Sequence, residues 1–228
     1  MVRTLVVIGS GGFGREVLDI ARDQRRERVC VVDDFPAQRN LELLARQGIP
    51  RFGTTDDMIA DMNPDEVEYV IGIGDGVARK RLDAKLSAAG FEAATLVHSA
   101  ASLGFDVVLS PGSVICAGAR LTTNIVLGRH VHVNINATVG HDTVLEDYVT
   151  MNPTASVSGN VTVGESTLIG ANAFVMQKLS IGAFSIVGAS ASVVKPVDPH
   201  TTVVGVPARP LHKKVAATEP ETASSNAE

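Results

Sequence analysis

Cysteine is scarce in this chain of 228 residues, with only Cys30 and Cys116, far apart in the sequence. Two lone thiols make neither a disulfide framework nor a metal set; they read as buried residues of a reducing compartment. No apolar run is long enough to cross a membrane and no leader pattern precedes the first strand, so the expectation is a soluble, cytoplasmic protein. An excess of positive charge is missing as well. The formal net charge is −5 with no basic face, which argues against nucleic acid as a partner. Hydrophobic residues are nearly absent from residues 216–228, rich in Ala, Thr, Ser and Glu, which are expected to be disordered.

What is present is a long rhythm. From Val97 to Val193 every sixth residue is aliphatic, seventeen times without a slip. Neither a helix (period 3.6) nor an ordinary strand (period 2) keeps that spacing. A hexad repeat is the mark of a parallel β-helix, in which a coil buries its inner face only when a neighbour stacks on it. Four residues after each aliphatic comes a compact or β-branched residue, such as Ala119, Ala137, Thr143 and Ala155; both positions should point inward. Gly, Asn and Asp recur two positions beyond the frequent glycine, at Asp106, Gly112, Gly118, Asn124, Asn136, Asp142, Asn160 and Asn172. These residues tolerate positive φ, so the column reads as the corner of each hexad. Three hexads per coil make a triangular prism of nearly six coils, ~27 Å tall at ~4.8 Å per stacked strand. The repeat is never interrupted, so the prism carries no long loop with which to grip a substrate.

The first ninety residues differ. A short apolar strand, Thr4-Leu-Val-Val-Ile8, runs into Gly9-Ser-Gly-Gly-Phe-Gly14 and then into a helical pattern. A second strand ends in Asp33-Asp34, and a third in Gly72-Ile-Gly-Asp-Gly76. Glycines after a strand let a phosphate approach backbone N–H groups at a helix N-terminus, and the acid can accept from a ribose hydroxyl. Only one mononucleotide-sized half is present, so a single nucleotide, such as the diphosphate handle of an activated sugar, fits better than NAD or FAD. Tight packing alone is the other reading of these glycines.

Six histidines are the candidates for proton transfer. His130 and His132 read as decoration of the surface or of a subunit contact. His141, in Gly140-His-Asp142, should face outward, with Thr123 and Gly159 stacked on it one coil to either side. Its neighbour Asp142 stacks between Asn124 and Asn160. Moving an acyl group from a thioester to an amine needs a base, an oxyanion donor and a donor groove. His141 as base, Asp142 beside it and the Gly159 N–H at the thioester oxygen would supply the first two.

The repeat, together with the closing Gly205-Val-Pro-Ala-Arg209, resembles the hexapeptide-repeat acyltransferases, which implies that the β-helix is left-handed. Adding the Gly-rich segment, Val31-Val-Asp-Asp34, Gly140-His-Asp and Ser158-Gly-Asn-Val-Thr-Val-Gly164, nearly the whole chain resembles the bacterial nucleotide-aminosugar N-acetyltransferases, close to the sialic acid O-acetyltransferase group. The resemblance implies residues 1–95 as an α/β, Rossmann-like nucleotide-binding domain and 96–198 as an all-β left-handed parallel β-helix, with a closing segment at 199–215. It implies acetyl-CoA as co-substrate, no tightly bound cofactor or metal, and a homotrimer with active sites between subunits. The acceptor implied is the 4-amino group of a nucleotide-linked 4-amino-4,6-dideoxy sugar, GDP-perosamine first and a UDP-linked sugar second, in surface-polysaccharide synthesis. Ser10, Gly11, Gly12, Asp33 and Asp34 would hold the nucleotide-sugar. Thr150, Gly159, Ala171, Lys178, Ala189 and Arg209 would meet acetyl-CoA. Relatives often carry a histidine where Thr150 stands, nine residues after His141. Three alternatives stand beside this reading: an O-acetyltransferase of the sialic acid or serine type, a prism metalloenzyme of the γ-carbonic anhydrase kind using His130, His132 and His141, and a nucleotide-sensing scaffold.

Overall fold

The computed structural model describes residues 2–211; the tail at 216–228 and His212 lie outside the described residues. The chain opens with β1 (Thr4–Ile8), α1 (Gly12–Asp23), β2 (Val29–Val32), α2 (Gln38–Arg46), β3 (Arg51–Gly53) and α3 (Thr55–Asp61). It continues with β4 (Val67–Ile71), α4 (Gly76–Ala88) and β5 (Glu92–Ala93). The five strands form one parallel sheet in the order β3-β2-β1-β4-β5. A parallel sheet must be covered on both faces. Val6, Ile8, Val32, Tyr69 and Ile71 pack toward Met58 and Leu86 on one face, and Leu5, Val7, Val31 and Val70 toward α1 on the other. The strand order reverses between β1 and β4, so the crevice at their carboxyl ends is the place where an open α/β sheet takes a ligand.

The rest is a left-handed parallel β-helix. Two-residue strands stack every eighteen residues in register, as His132–Val133 on Thr150–Met151 and that pair on Leu168–Ile169. The three faces have six, five and eight strands, the eight including two closing strands, Thr202–Val204 and the antiparallel Arg209–Pro210. Both inward positions of the hexad are where the rhythm places them. Val133, Val139, Leu145, Met151 and Val157 are buried, as are Ala137, Thr143, Val149 and Ala155. The corners have φ between +53° and +81° at all eight Gly, Asn and Asp positions named above. The same backbone is imposed on His130, Tyr148 and Thr154. For a β-branched residue that region is strained, and at Thr154 the stacked ladder on either side overrides the local preference.

α1 lies between the sheet and the prism. Its buried residues Val17, Leu18 and Ala21 share one apolar cluster with Leu96, Val114 and Cys116 of the first coils on the eight-strand face. Phe13 packs on the ring of His132, 4.7 Å between centroids. The two parts of the chain therefore share a core across that face.

Candidate active site

His141 stands on the corner between the six- and five-strand faces, and its side chain is 62% exposed. Its Nδ1 lies 2.7 Å from Asp142 Oδ2. The Asp142 carboxyl is held below its ordinary range, by His141 first and then by Asn124, whose Nδ2 donates to Oδ1 at 3.1 Å. An ionised carboxylate only accepts, so it fixes the imidazole proton on Nδ1 and leaves Nε2 with a free lone pair. The column repeats as expected. Asp142 N donates to Thr123 O and Asn160 N to His141 O. Gly159 sits beneath the ring, where a Cβ would come within 2.5 Å of His141 Nε2. It is buried by that ring; the Gly159 N–H donates no hydrogen bond among the described residues.

The second set of residues surrounds the crevice of the sheet. Gly9 has φ +105°, and Gly14 packs so closely on the Gly9 carbonyl that a side chain there would clash. Gly11 and Gly12, by contrast, face open space. Packing accounts for the outer glycines of the motif but not for the two between them. Ser10 is buried, and its N–H and Oγ donate to Asp33 Oδ2 at 2.7 and 2.5 Å. Asp34 accepts from Thr55 N and Oγ1. A cavity of about 390 Å³ opens beside these acids, lined also by Gly9, Phe35, Ile73, Arg81, Leu82 and Lys85. Phe35 is 94% exposed at its mouth. A larger cavity of about 520 Å³, near Arg22, Arg26 and Arg28, lies at the amino ends of β1 and β2, the wrong end of the sheet for a ligand in this topology.

The structure corrects four expectations. His130 and His132 are not on a surface: both are fully buried beneath the N-terminal part. Burial, with Arg79 and His130 nearby, holds the His132 imidazole well below its ordinary pKa, and so neutral. Neither ring can reach an interface to share a metal with His141. Thr150 does not face a co-substrate: it is 2% exposed, and its hydroxyl accepts from Arg79 and donates to Gly74 O. Ser10 braces its loop internally and leaves no free donor for a ligand. Ala171 and Ala189 stack on the corner between the eight- and six-strand faces, a different edge from His141. Lys178 is exposed two coils beyond Asp142 on its own corner, and Arg209 is exposed at the closing end.

The match to known proteins covers nearly everything just described. Residues 4–86 match the PglD N-terminal domain. The acetyltransferase domain of PglB from Neisseria gonorrhoeae FA1090 is 31% identical, with a TM-score of 0.84 over 92% of this chain and 100% of that one. WeeI from Acinetobacter baumannii AYE is also 31% identical, with a TM-score of 0.82 and the same coverage. The chain belongs to the nucleotide-aminosugar acetyltransferases of the hexapeptide-repeat superfamily. PerB from Caulobacter crescentus, solved in complex with CoA and GDP-perosamine, is 27% identical, with a TM-score of 0.83 over 93% of this chain and 99% of that one. A comparison with curated protein sequences finds no significant match. As a member of this family the chain is an acyltransferase. Phe35, Arg81 and Lys85 escaped the sequence reading, although Phe35 follows the two acids directly and the helical run after Gly76 could have marked the other two as crevice-facing.

Proposed function

We propose that this protein transfers the acetyl group of acetyl-CoA to the 4-amino group of a nucleotide-linked 4-amino-4,6-dideoxy sugar, at sites shared between two subunits. The observation that carries the proposal is a mismatch within one chain. The Gly-rich crevice sits beside the eight-strand face, against which the N-terminal part is docked, while His141 stands on the corner opposite that face. One chain offers an acceptor site without a base on one side and a base without an acceptor site on the other. A heterologous contact that closes on itself makes both complete. A stacked ladder of exposed Val108, Val126 and Val144 on the five-strand face supplies apolar surface next to His141 for that contact. A homotrimer of prisms is the assembly proposed.

In such a site the nucleotide lies in the 390 Å³ cavity, with its phosphates toward the bare backbone at Gly11 and Gly12 and with Asp33 and Asp34 accepting from ribose or base. The sugar amine, having lost one proton to solvent, attacks the thioester carbonyl. A C–N bond forms, His141 Nε2 takes the second amine proton, and the C–S bond breaks as the thiolate leaves and is protonated. With the imidazole swung toward the amine, the Gly159 N–H is uncovered to hold the oxyanion. Pantetheine runs past Ala171 and Ala189 of the adjoining prism, and Lys178 and Arg209 meet the CoA phosphates. Residues 1–95 then form the acceptor domain and 96–198 the catalytic prism, with 199–215 closing it, in a cytoplasmic enzyme that feeds surface-polysaccharide synthesis. GDP-perosamine is the first acceptor to try and a UDP-linked aminosugar the second. An O-acetyltransferase acting on a free hydroxyl would leave the open crevice at Gly11 and Gly12 without an occupant. The test is thiol release from acetyl-CoA with GDP-perosamine, UDP-4-amino sugars, a free sialic acid and serine. Turnover with one nucleotide-linked amine, falling ~10²–10⁴-fold in His141→Ala, is expected; turnover only with a hydroxyl acceptor overturns the proposal.

A further inference from the structure

α4 has two working faces. One presents Ala78, Arg81, Leu82 and Lys85 to the crevice. The other sends Arg79 and Asp83, one turn apart and both buried, into the prism. Arg79 forms no ion pair among the described residues; every partner is an uncharged oxygen. Nη1 donates to the carbonyls of Ile73 and Gly74, at 2.9 and 3.0 Å. Nη2 donates to Tyr148 O at 2.5 Å and Thr150 Oγ1 at 2.9 Å, and Nε to His130 O at 3.1 Å. Thr150 closes the ring by donating to Gly74 O at 3.0 Å. The first two carbonyls belong to the turn that follows β4 and borders the crevice; the others belong to two successive coils of the prism. At that junction Gly76 abuts the prism so closely that a Cβ would meet Tyr148 O at 2.6 Å.

A buried cation without a counter-charge is an expensive way to glue two surfaces, and apolar residues of similar volume would hold them as well. What the guanidinium adds is direction, a planar fork holding six acceptors at once, the Val149 carbonyl at 3.3 Å among them. We propose that Arg79 is a positioning residue for acetyl transfer. It fixes the Ile73–Gly74 turn, and with it the sugar amine held in the crevice, relative to the prism that the assembly packs against its neighbour's His141. This rests on the reading given under Proposed function, because it takes the crevice as the seat of the amine. A reacting atom displaced by about 1 Å loses on the order of 10² in rate.

The test compares two acceptors of the same acetyl-CoA in full-length wild type, Arg79→Lys and Arg79→Met. One is the nucleotide-linked amino sugar. The other is hydroxylamine, which is small enough to reach the thioester without the crevice. Transfer to the sugar is expected to fall about 100-fold in kcat, while transfer to hydroxylamine and the KM for acetyl-CoA stay within about twofold. Should either variant fail to fold, Thr150→Val keeps the volume, removes one partner of the fork and is expected to cost the sugar reaction alone about fivefold. Rates that fall in parallel for both acceptors, or a sugar reaction that does not fall, overturn the role of Arg79. A wild type that acetylates hydroxylamine but no nucleotide-linked amine overturns the functional reading beneath it.

Discussion

The imidazole of His141 rests on the bare backbone of Gly159 one coil away, in space that a single methyl group would occupy at 2.5 Å from Nε2. The φ of Gly159 lies outside the left-handed region, so conformation does not demand glycine there; the ring does. Gly159→Ala should therefore leave the β-helix intact and displace the imidazole that the proposed function uses as base. The expected outcome is a kcat lower by about 10²-fold, as for a reacting group moved by an ångström, with a thermal midpoint close to wild type. Steady-state kinetics beside a thermal melt check it.

The two kinds of glycine in the N-terminal motif should separate in the same way. Gly11→Val points into open space and should cost at most about 1 kcal/mol, for a poorer residue at the start of α1. On the function proposed above it should nonetheless abolish nucleotide-sugar binding, because the side chain would stand where that reading puts the phosphates. Gly14→Ala would collide with the Gly9 carbonyl and should fail to fold or melt far lower. Calorimetric titration and circular dichroism distinguish the two.

Thr154 holds φ +59°, where a β-branched residue is strained. Thr154→Asn suits that backbone and should stabilise the protein by about 1 kcal/mol without altering activity. Equilibrium unfolding in denaturant measures it.

Asp83 gives the interdomain seam a pH dependence. Burial alone would raise its carboxyl, but His130, Arg129, Tyr148 and Tyr69 together hold it far below the ordinary carboxylate range. The unfolded chain then binds a proton more readily than the folded one. The stabilisation is fully present above about pH 4, the ordinary Asp value, and is lost as pH falls further toward the folded-state pKa. Asp83→Asn should lose about 3 kcal/mol at neutral pH by leaving Arg129 without its partner, and should flatten the slope of stability against pH in the acid range. Urea midpoints between pH 3 and pH 7 report both.

Much of this molecule is legible in its sequence, for a physical reason. A β-helix repeats one packing problem, so Val133, Met151 and Ile169 answer it identically and the period shows. His141, Asp142 and Gly159 follow because an eighteen-residue coil states which residues stack. The period does not say what lies outside a face. His132 and Thr150 occupy outward positions like Thr138 and Ser156 on another face, yet one pair is buried under α1 and α4 and the other meets solvent. That difference arises from docking between distant segments, which no local pattern records. For the same reason Arg79 reads as one more charge on a polar helix. Ser10 is not legible in the same way, because a hydroxyl in a Gly-rich loop serves a ligand or the loop itself with equal ease; only the folded position of Asp33 shows that its donors are spent within the loop.

The most direct test of a shared active site is complementation between two inactive chains. His141→Ala removes the proposed base but keeps the crevice; Gly11→Val obstructs the crevice but keeps His141. Each is expected to be inactive alone in acetyl transfer to the nucleotide-linked amine. Co-expressed in equal amounts and purified together through two different tags, they should regain about a third of the wild-type activity per site, because one of the three junctions in each mixed trimer joins an intact His141 to an intact crevice on another chain. A mixed oligomer with no more activity than its parents would mean that base and crevice serve each other within one chain, and would contradict the account.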